Sequence, residues 1–443
     1  MAQNVPIFAE DRFLAISLAG KRQNAIDEPM DAADLDYRLK CEYTRQYVDE
    51  RKVVLDCDGV DIDDETLQRS RLLLTLTFPQ GVTPQIMSVF GFYFLGTSAA
   101  PVGTPANEVQ TLTRVGDITS GTFKLAFPDF EGRSGTTKPI AWNASIAEIE
   151  AALTKQSATI GKLIKDGDVA VTGTWGAGIV ITYSERLANA NLPLLTVDNT
   201  AIVGGTVAIA ATANGAQRVH AGTRSTSRTK TKFCIAAGDK TGAVATEMLY
   251  NCAVDSFTPT ISDADDNVGL TVAIICNSTP IELEDFDVPA CENPAPLEKK
   301  DCRIKIGSKW ESLDLWSQTI ALADAILTGK EVYGFDGAEM ETVMRSRNPS
   351  YQLPTQVLAS SNDEIATRVN TKQPVETHFG QPGNRFSVLA GNALIKRQAD
   401  PFPYVGELGR SAIALDITPH RDGANVPIRI EFRGNVETQF LLT

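Results

Sequence analysis

RLLLTLTF, residues 71–78, places Leu72, Leu74, Leu76 and Phe78 on one face of an extended chain. That period of two marks a half-buried β-strand, because successive side chains of a strand point to opposite faces. The pattern recurs in both directions. LTVAIIC (270–276) aligns Leu270, Val272 and Ile274, and GTFKLAF (121–127) aligns Phe123, Leu125 and Phe127. In VPIRIEFRG (426–434), Ile428, Ile430 and Phe432 take a buried face while Arg429, Glu431 and Arg433 take a wet one. KFCIAAG (232–238), MLYNCAVDSFTPTI (248–261), RIKIG (303–307) and SAIALDI (411–417) are further strand candidates. The fold class expected is mainly β.

At 443 residues the chain is too long for one ordinary core, so two or three domains are expected. A hydrophobic fraction of 43% and a charged fraction of 22% are those of a soluble globular protein. The densest apolar run, IMSVFGFYFL (86–95), is too short to cross a bilayer and reads as a buried core element. The opening MAQNVPIFAEDRF has no basic-then-apolar secretory pattern. A net charge of −14 argues against a grip on phosphate backbones, which needs a basic footprint, but permits a protein that surrounds nucleic acid without holding it.

Polar β-rich arms at 38–56 are expected to form a long hairpin around the turn-like Val48–Arg51, with so little apolar surface that it packs on a neighbouring subunit. An acidic stretch, Asp56 to Glu65, follows. After AAPVGTPAN (99–107) the composition changes: Glu108 to Gln217 is rich in small residues, Thr and Val. Within it, IAWNASIAEIEAAL (140–153) is a helix signature. Ser145 and Glu148 form a capping box, and Ile146, Ile149 and Leu153 repeat at helical spacing. Strand candidates VAVTG (169–173), GIVITYS (178–184) and TVAIAAT (206–212) complete a compact inserted module. The domains expected are therefore 1–105 with 218–278, interrupted by the module 108–216, a Pro- and acid-rich linker 279–301, and a second β unit 302–443. SLDLWSQTIALADAIL (312–327) is expected to be helical, RFSVLAGNALIKR (385–397) a hairpin around Gly391–Asn392, and the last strands a second hairpin around Asp422–Gly423.

No motif carries chemistry. DADDN (263–267) resembles the start of a calcium loop, but Val268 stands where Gly is needed and Ile274 where a bidentate Glu belongs, so a polar hairpin turn is the better reading. DCDGVDIDDE (56–65) has carboxylates without ligand spacing. His220, His378 and His420 lie far apart and lack an obvious Ser or Cys partner. GTWGAGI (173–179) reads as a turn, and NAS (143–145) and NST (277–279) carry no weight as glycosylation sites. Seven scattered cysteines (41, 57, 234, 252, 276, 291 and 302) contain no CxxC pair and suggest reduced, mostly buried thiols. No catalytic, cofactor-binding or metal-binding residues are expected, and no enzyme activity.

The segment TRSTSRTKTKFCIAAGDKTGAVATEMLYNCAVDSFTPTISDADDNVGLTVAIICN (223–277) resembles the tail tube (major tail) proteins of long-tailed bacteriophages, through Phe233, Tyr250, Val254, Phe257, Leu270, Val272 and Ile274. NEVQTLT, GTFKLAF, PIAWNASIAEIEAAL, DVAVTG and LPLLTVDNTAIVGGTVAIA, within 107–210, are similar to a small β-rich module recurring in phage virion proteins and some bacterial surface proteins. The resemblance implies a virion structural protein with two tube-type antiparallel β-sandwich or barrel units and the inserted module displayed outside. It implies self-assembly into rings, trimeric with pseudo-sixfold symmetry or hexameric, stacked into a tube with other tail proteins in the host cytoplasm and carried in the virion. Genomic DNA would pass through the lumen without specific binding, repelled by the acidic surplus, and no membrane would be involved. The rival implied reading is a baseplate, fibre-associated or head-decoration protein binding a host glycan or the capsid. Trp142 and Trp175 on one exposed face would favour it, although core packing is the expectation for both.

Overall fold

Residues 71–78 lie where their alternation puts them. The strand Ile62–Thr77 buries Leu72, Leu74 and Leu76, and Phe78 beyond it is buried too. The structure is a computed structural model describing residues 12–23, 29–55, 62–79, 81–155, 158–226, 231–239, 245–261, 266–276, 280–290, 292, 295–311, 317–324, 349–358, 369–397, 404–405, 410–422 and 426–441. The protein is mainly β, built of antiparallel sheet with two α-helices among the described residues.

One run of strands is ordered Tyr37–Arg38, Arg12–Ile16, Phe233–Asp239, Thr246–Ile261, Val268–Cys276, Ile62–Thr77 and Glu42–Leu55. Thr246–Ile261 is long enough to serve as a corner. Its second half takes Ser317–Thr319 and Ala321–Ala323 on the edge where its first half takes Phe233–Asp239. From there the sheet continues through Ser350–Gln352 and Thr355–Leu358, then Arg410–Pro419, Asn384–Arg397, Lys372–Gln381 and Arg303–Ile306. The described strands of 302–443 thus join the same sheet as those of 1–105 and 218–278, and all contribute to one hydrophobic cluster. The stretch 279–301 is stitched to them: Ile281–Leu283 pairs with Thr246–Met248, and Leu297 exchanges backbone bonds with Val82 and Val268.

The apolar run 86–95 forms the core helix α1 (Pro84–Leu95). Thr83 caps it by accepting from the Ile86 amide, Pro84 opens it, and Gly96 closes it at φ 80°. A helix apolar on every face must be enclosed. α1 packs on Thr246–Ile261, Asn384–Arg397, Arg429–Gly434 and Arg218–Thr223, and every side chain from Ile86 to Leu95 is buried. Contact is closest at Gly222, where a Cβ would lie 2.6 Å from the Phe92 ring.

Residues 109–213 form a separate six-stranded sheet with its own core. The chain crosses into it beside the point where it returns, through the bridges Val102–Val219 and Ala106–Ala216. Two long strands, Val109–Phe130 and Thr196–Ala213, form a ribbon that bends at glycines 116, 121 and 204, all with positive φ. The bend brings Asn199 against Val207, whose N–H it accepts at 2.8 Å and whose carbonyl it bonds at 2.9 Å. One side chain thereby substitutes for a missing neighbouring strand. α2 (Ile146–Thr154) has the expected capping box, and Ile149 and Leu153 are buried. Ile146, expected on the same face, is instead exposed.

Five further expectations are corrected. The chain does not turn at 48–51: Glu42–Leu55 is one strand, with only a register shift between Glu50 and Arg51, and its return strand is Ile62–Thr77. Residues 317–323 are two short strands, because Thr246–Ile261 offers them a free edge; the rest of the expected helix lies outside the described residues. Gly391–Asn392 is a bulge within the continuous strand Asn384–Arg397, two residues facing the single Pro374, which has no N–H to donate. Arg410–Pro419 and Arg429–Gly434 do not pair as a hairpin. They lie end to end along the same edge of Asn384–Arg397. Glu431 also departs from the expected wet face: it is buried, with Arg429 at 2.7 Å and Arg433 at 3.2 Å.

Candidate functional site

The feature with the clearest outward direction is the hairpin Glu42–Leu55/Ile62–Thr77. Its strands are 14 and 16 residues long, yet among the described residues only Leu72–Thr77 pairs with a third strand. From Val48 to Leu55 the partner is Arg71 to Ile62, alone among the described residues. At about 3.3 Å per residue, this two-stranded arm extends about 26 Å past the sheet. The outer edge of Glu42–Leu55 has no strand beside it among the described residues, so its backbone groups are open to pairing. At the base, Arg45 donates to Glu247 at 2.7 Å.

The three histidines stay apart, but each finds partners that sequence spacing concealed. His378 Nδ1 is 2.7 Å from Ser387 Oγ, its cross-strand neighbour, and Nε2 is 3.6 Å from Glu376 Oε2. This resembles the order of a catalytic triad. Ser387, however, is wholly buried and within the sheet, where its hydroxyl cannot reach a substrate. Burial holds His378 below its ordinary value, opposed by Glu376. His220 is buried between Phe432 and Phe440 with Nε2 2.8 Å from the Val436 carbonyl; its pKa is also lowered by burial. His420 donates its backbone N–H to the Asn392 carbonyl.

His378 belongs to a charged junction between the insert and the body. Glu131, at the tip of an insert hairpin, pairs with Arg385 of the body, and both are almost fully buried. Burial raises the Glu131 carboxyl, but Arg385, His378 and Arg133 outweigh it and leave the carboxyl below its ordinary value. Burial also pulls Arg303 down to about 10. Gly132 packs against Trp310, where a Cβ would come within 2.8 Å.

Trp142 and Trp175 are brought together on the insert with the Arg114 guanidinium between them, 4.8 and 4.4 Å from the ring centroids. Arg114 donates to the Trp142 carbonyl, and Trp175 Nε1 to the Ala144 carbonyl. Both rings also pack on the insert core, so the inner face of each is filled. GTWGAGI is the turn between Val169–Thr174 and Gly178–Tyr183. Residues 56–61, 262–265 and 277–279, including most of the acidic loop candidates, lie outside the described residues. Among the described residues, no three His, Cys, Asp or Glu side chains are placed to hold a metal. The described cysteines are free thiols, with Cys41 and Cys234 pushed up to about 12 by burial.

No known protein-family model matches the chain, and no curated protein is detectably similar to it.

Proposed function

We propose that the chain is the major subunit of a phage tail tube, forming rings of three or six copies that stack into a conduit for DNA, with the insert on the outside. The projecting arm carries this reading. A two-stranded hairpin alone is at best marginally stable in water, so an arm of this length with an open edge is built to be completed by another chain. The antiparallel sheet enclosing α1 suits closure of neighbouring subunits into a ring, which removes the remaining edges. The net charge of −14 suits a bore that repels the DNA backbone and lets the genome slide.

Shortening the arm tests the proposal. Tyr47 and Leu72 are directly opposed, so replacing residues 48–71 by Asn-Gly preserves the register with a two-residue hairpin turn. The shortened protein should fold, as read by circular dichroism, but sediment as isolated rings or subunits. Full-length tubes from the shortened chain would refute the arm's role.

A further inference from the structure

A groove of about 780 Å3 runs along the junction between the insert and the body. One wall is the insert segment 185–189; the other is the hairpin tip Gln381–Asn384, with Asn435 and Gln85 beside it. The walls are fixed to each other. The Gly383 N–H donates to the Arg186 carbonyl at 3.1 Å, and Asn189 Nδ2 donates to Asn435 Oδ1 at 2.9 Å. A Cβ on Gly383 would lie 2.6 Å from the Ala188 carbonyl, so only glycine allows the tip this close.

The lining chemistry is specific. The side chains of Gln85, Gln381 and Asn384 line the groove and make no hydrogen bond within the described protein. The lining carries no surplus of positive charge: Arg186 is held by Asp168 behind it and Lys300 by Glu298, leaving Lys165 against two carboxylates, Glu185 and Asp301. Glu185 (φ 47°) and Asn189 (φ 59°) both occupy the left-handed region, a strain that persists where surrounding structure fixes it and that clusters at ligand sites.

We propose that this groove binds a neutral, hydroxyl-rich ligand, a short oligosaccharide. A carboxamide presents both donor and acceptor, which matches a sugar hydroxyl that is itself both. With no unpaired positive charge in excess, the lining gives no preference for phosphate, sulfate or carboxylate groups. The volume lies within the range of about 300–1,000 Å3 usual for small-molecule sites. The site stands on the groove's own lining and does not rest on the tube reading.

The test uses the full-length protein in calorimetric titrations with maltotriose, cellotriose and chitotriose, and 3′-sialyllactose as the anionic comparison. At least one neutral trisaccharide should bind, and Gln381→Ala with Asn384→Ala should weaken it about tenfold or more, as expected for losing two hydrogen bonds. Gln85→Ala, on a different element of the body, should weaken it several-fold and serves if the double variant does not fold. Trp142→Ala with Trp175→Ala should leave affinity unchanged. Absence of neutral binding at millimolar concentration, preference for the anionic sugar, or loss only in the tryptophan variant would overturn the proposal. The arm-shortened chain should bind sugar as the full chain does, so failure of assembly and failure of this site are read separately.

Discussion

Replacing Glu131 by Gln is the most informative single change at the insert–body junction. The side chains of Glu131 and Arg385 are 9% and 7% exposed, so the substitution leaves the Arg385 charge buried without its counter-ion. Breaking one side of a buried pair costs about 3–5 kcal/mol. The introduced carboxamide retains one acceptor for Arg385, which puts the expectation at the lower end, about 3 kcal/mol. Urea unfolding followed through tryptophan fluorescence reads this loss, because Trp310 packs at the neighbouring Gly132. Removing both partners, Glu131→Gln with Arg385→Met, should recover part of the loss, since no charge is then stranded. The pH dependence gives a second reading. A carboxyl lowered in the folded state contributes stability that is complete above its ordinary value and lost as pH falls through the lowered one. His378 is also lowered, so stability falls as pH drops below the ordinary histidine value of about 6.5. The Glu131→Gln variant should lose the carboxyl part of the acid limb and keep the histidine part. A change smaller than about 0.5 kcal/mol at neutral pH, the scale of an ordinary surface substitution, would refute the buried-pair argument.

Asn199→Ala removes both bonds to Val207 and leaves a buried amide and carbonyl unpaired; about 2 kcal/mol of local stability should disappear, read as faster hydrogen exchange at the Val207 amide. Ser145→Ala deletes the cap of α2 and should cost about 1 kcal/mol in thermal unfolding. Phe90→Ala, in a fully buried position of α1, should cost about 3–5 kcal/mol in chemical denaturation.

Strands with one buried face were legible because their alternation is a direct image of the pleat. Leu72, Leu74 and Leu76, and Leu270, Val272 and Ile274, are buried as the period requires. α2 was legible from its capping box, a local interaction written in adjacent residues. α1 was legible as core but not as helix, since a run apolar on all sides has no period to read. The errors share a cause in distant partners. Residues 317–323 carry a helical spacing of apolar residues, but the open half of Thr246–Ile261 takes them as strands. Gly391–Asn392 looks like a turn, yet Pro374 across the sheet makes it a bulge. Of the sites, the Glu131–Arg385 pair and the carboxamide groove depend on residues far apart in sequence, whereas His378, Glu376 and Ser387 lie in one hairpin and meet only through its register. The Gln381-Pro-Gly-Asn384 turn was the one local signal near the groove.

Electron microscopy of the purified full-length chain measures the central claim most directly. Hollow tubes or stacked rings with an open bore, and density from the Glu42–Thr77 arm bridging one ring to the next, are the expected result. Monodisperse monomers at high protein concentration, or closed assemblies without a bore, would contradict it.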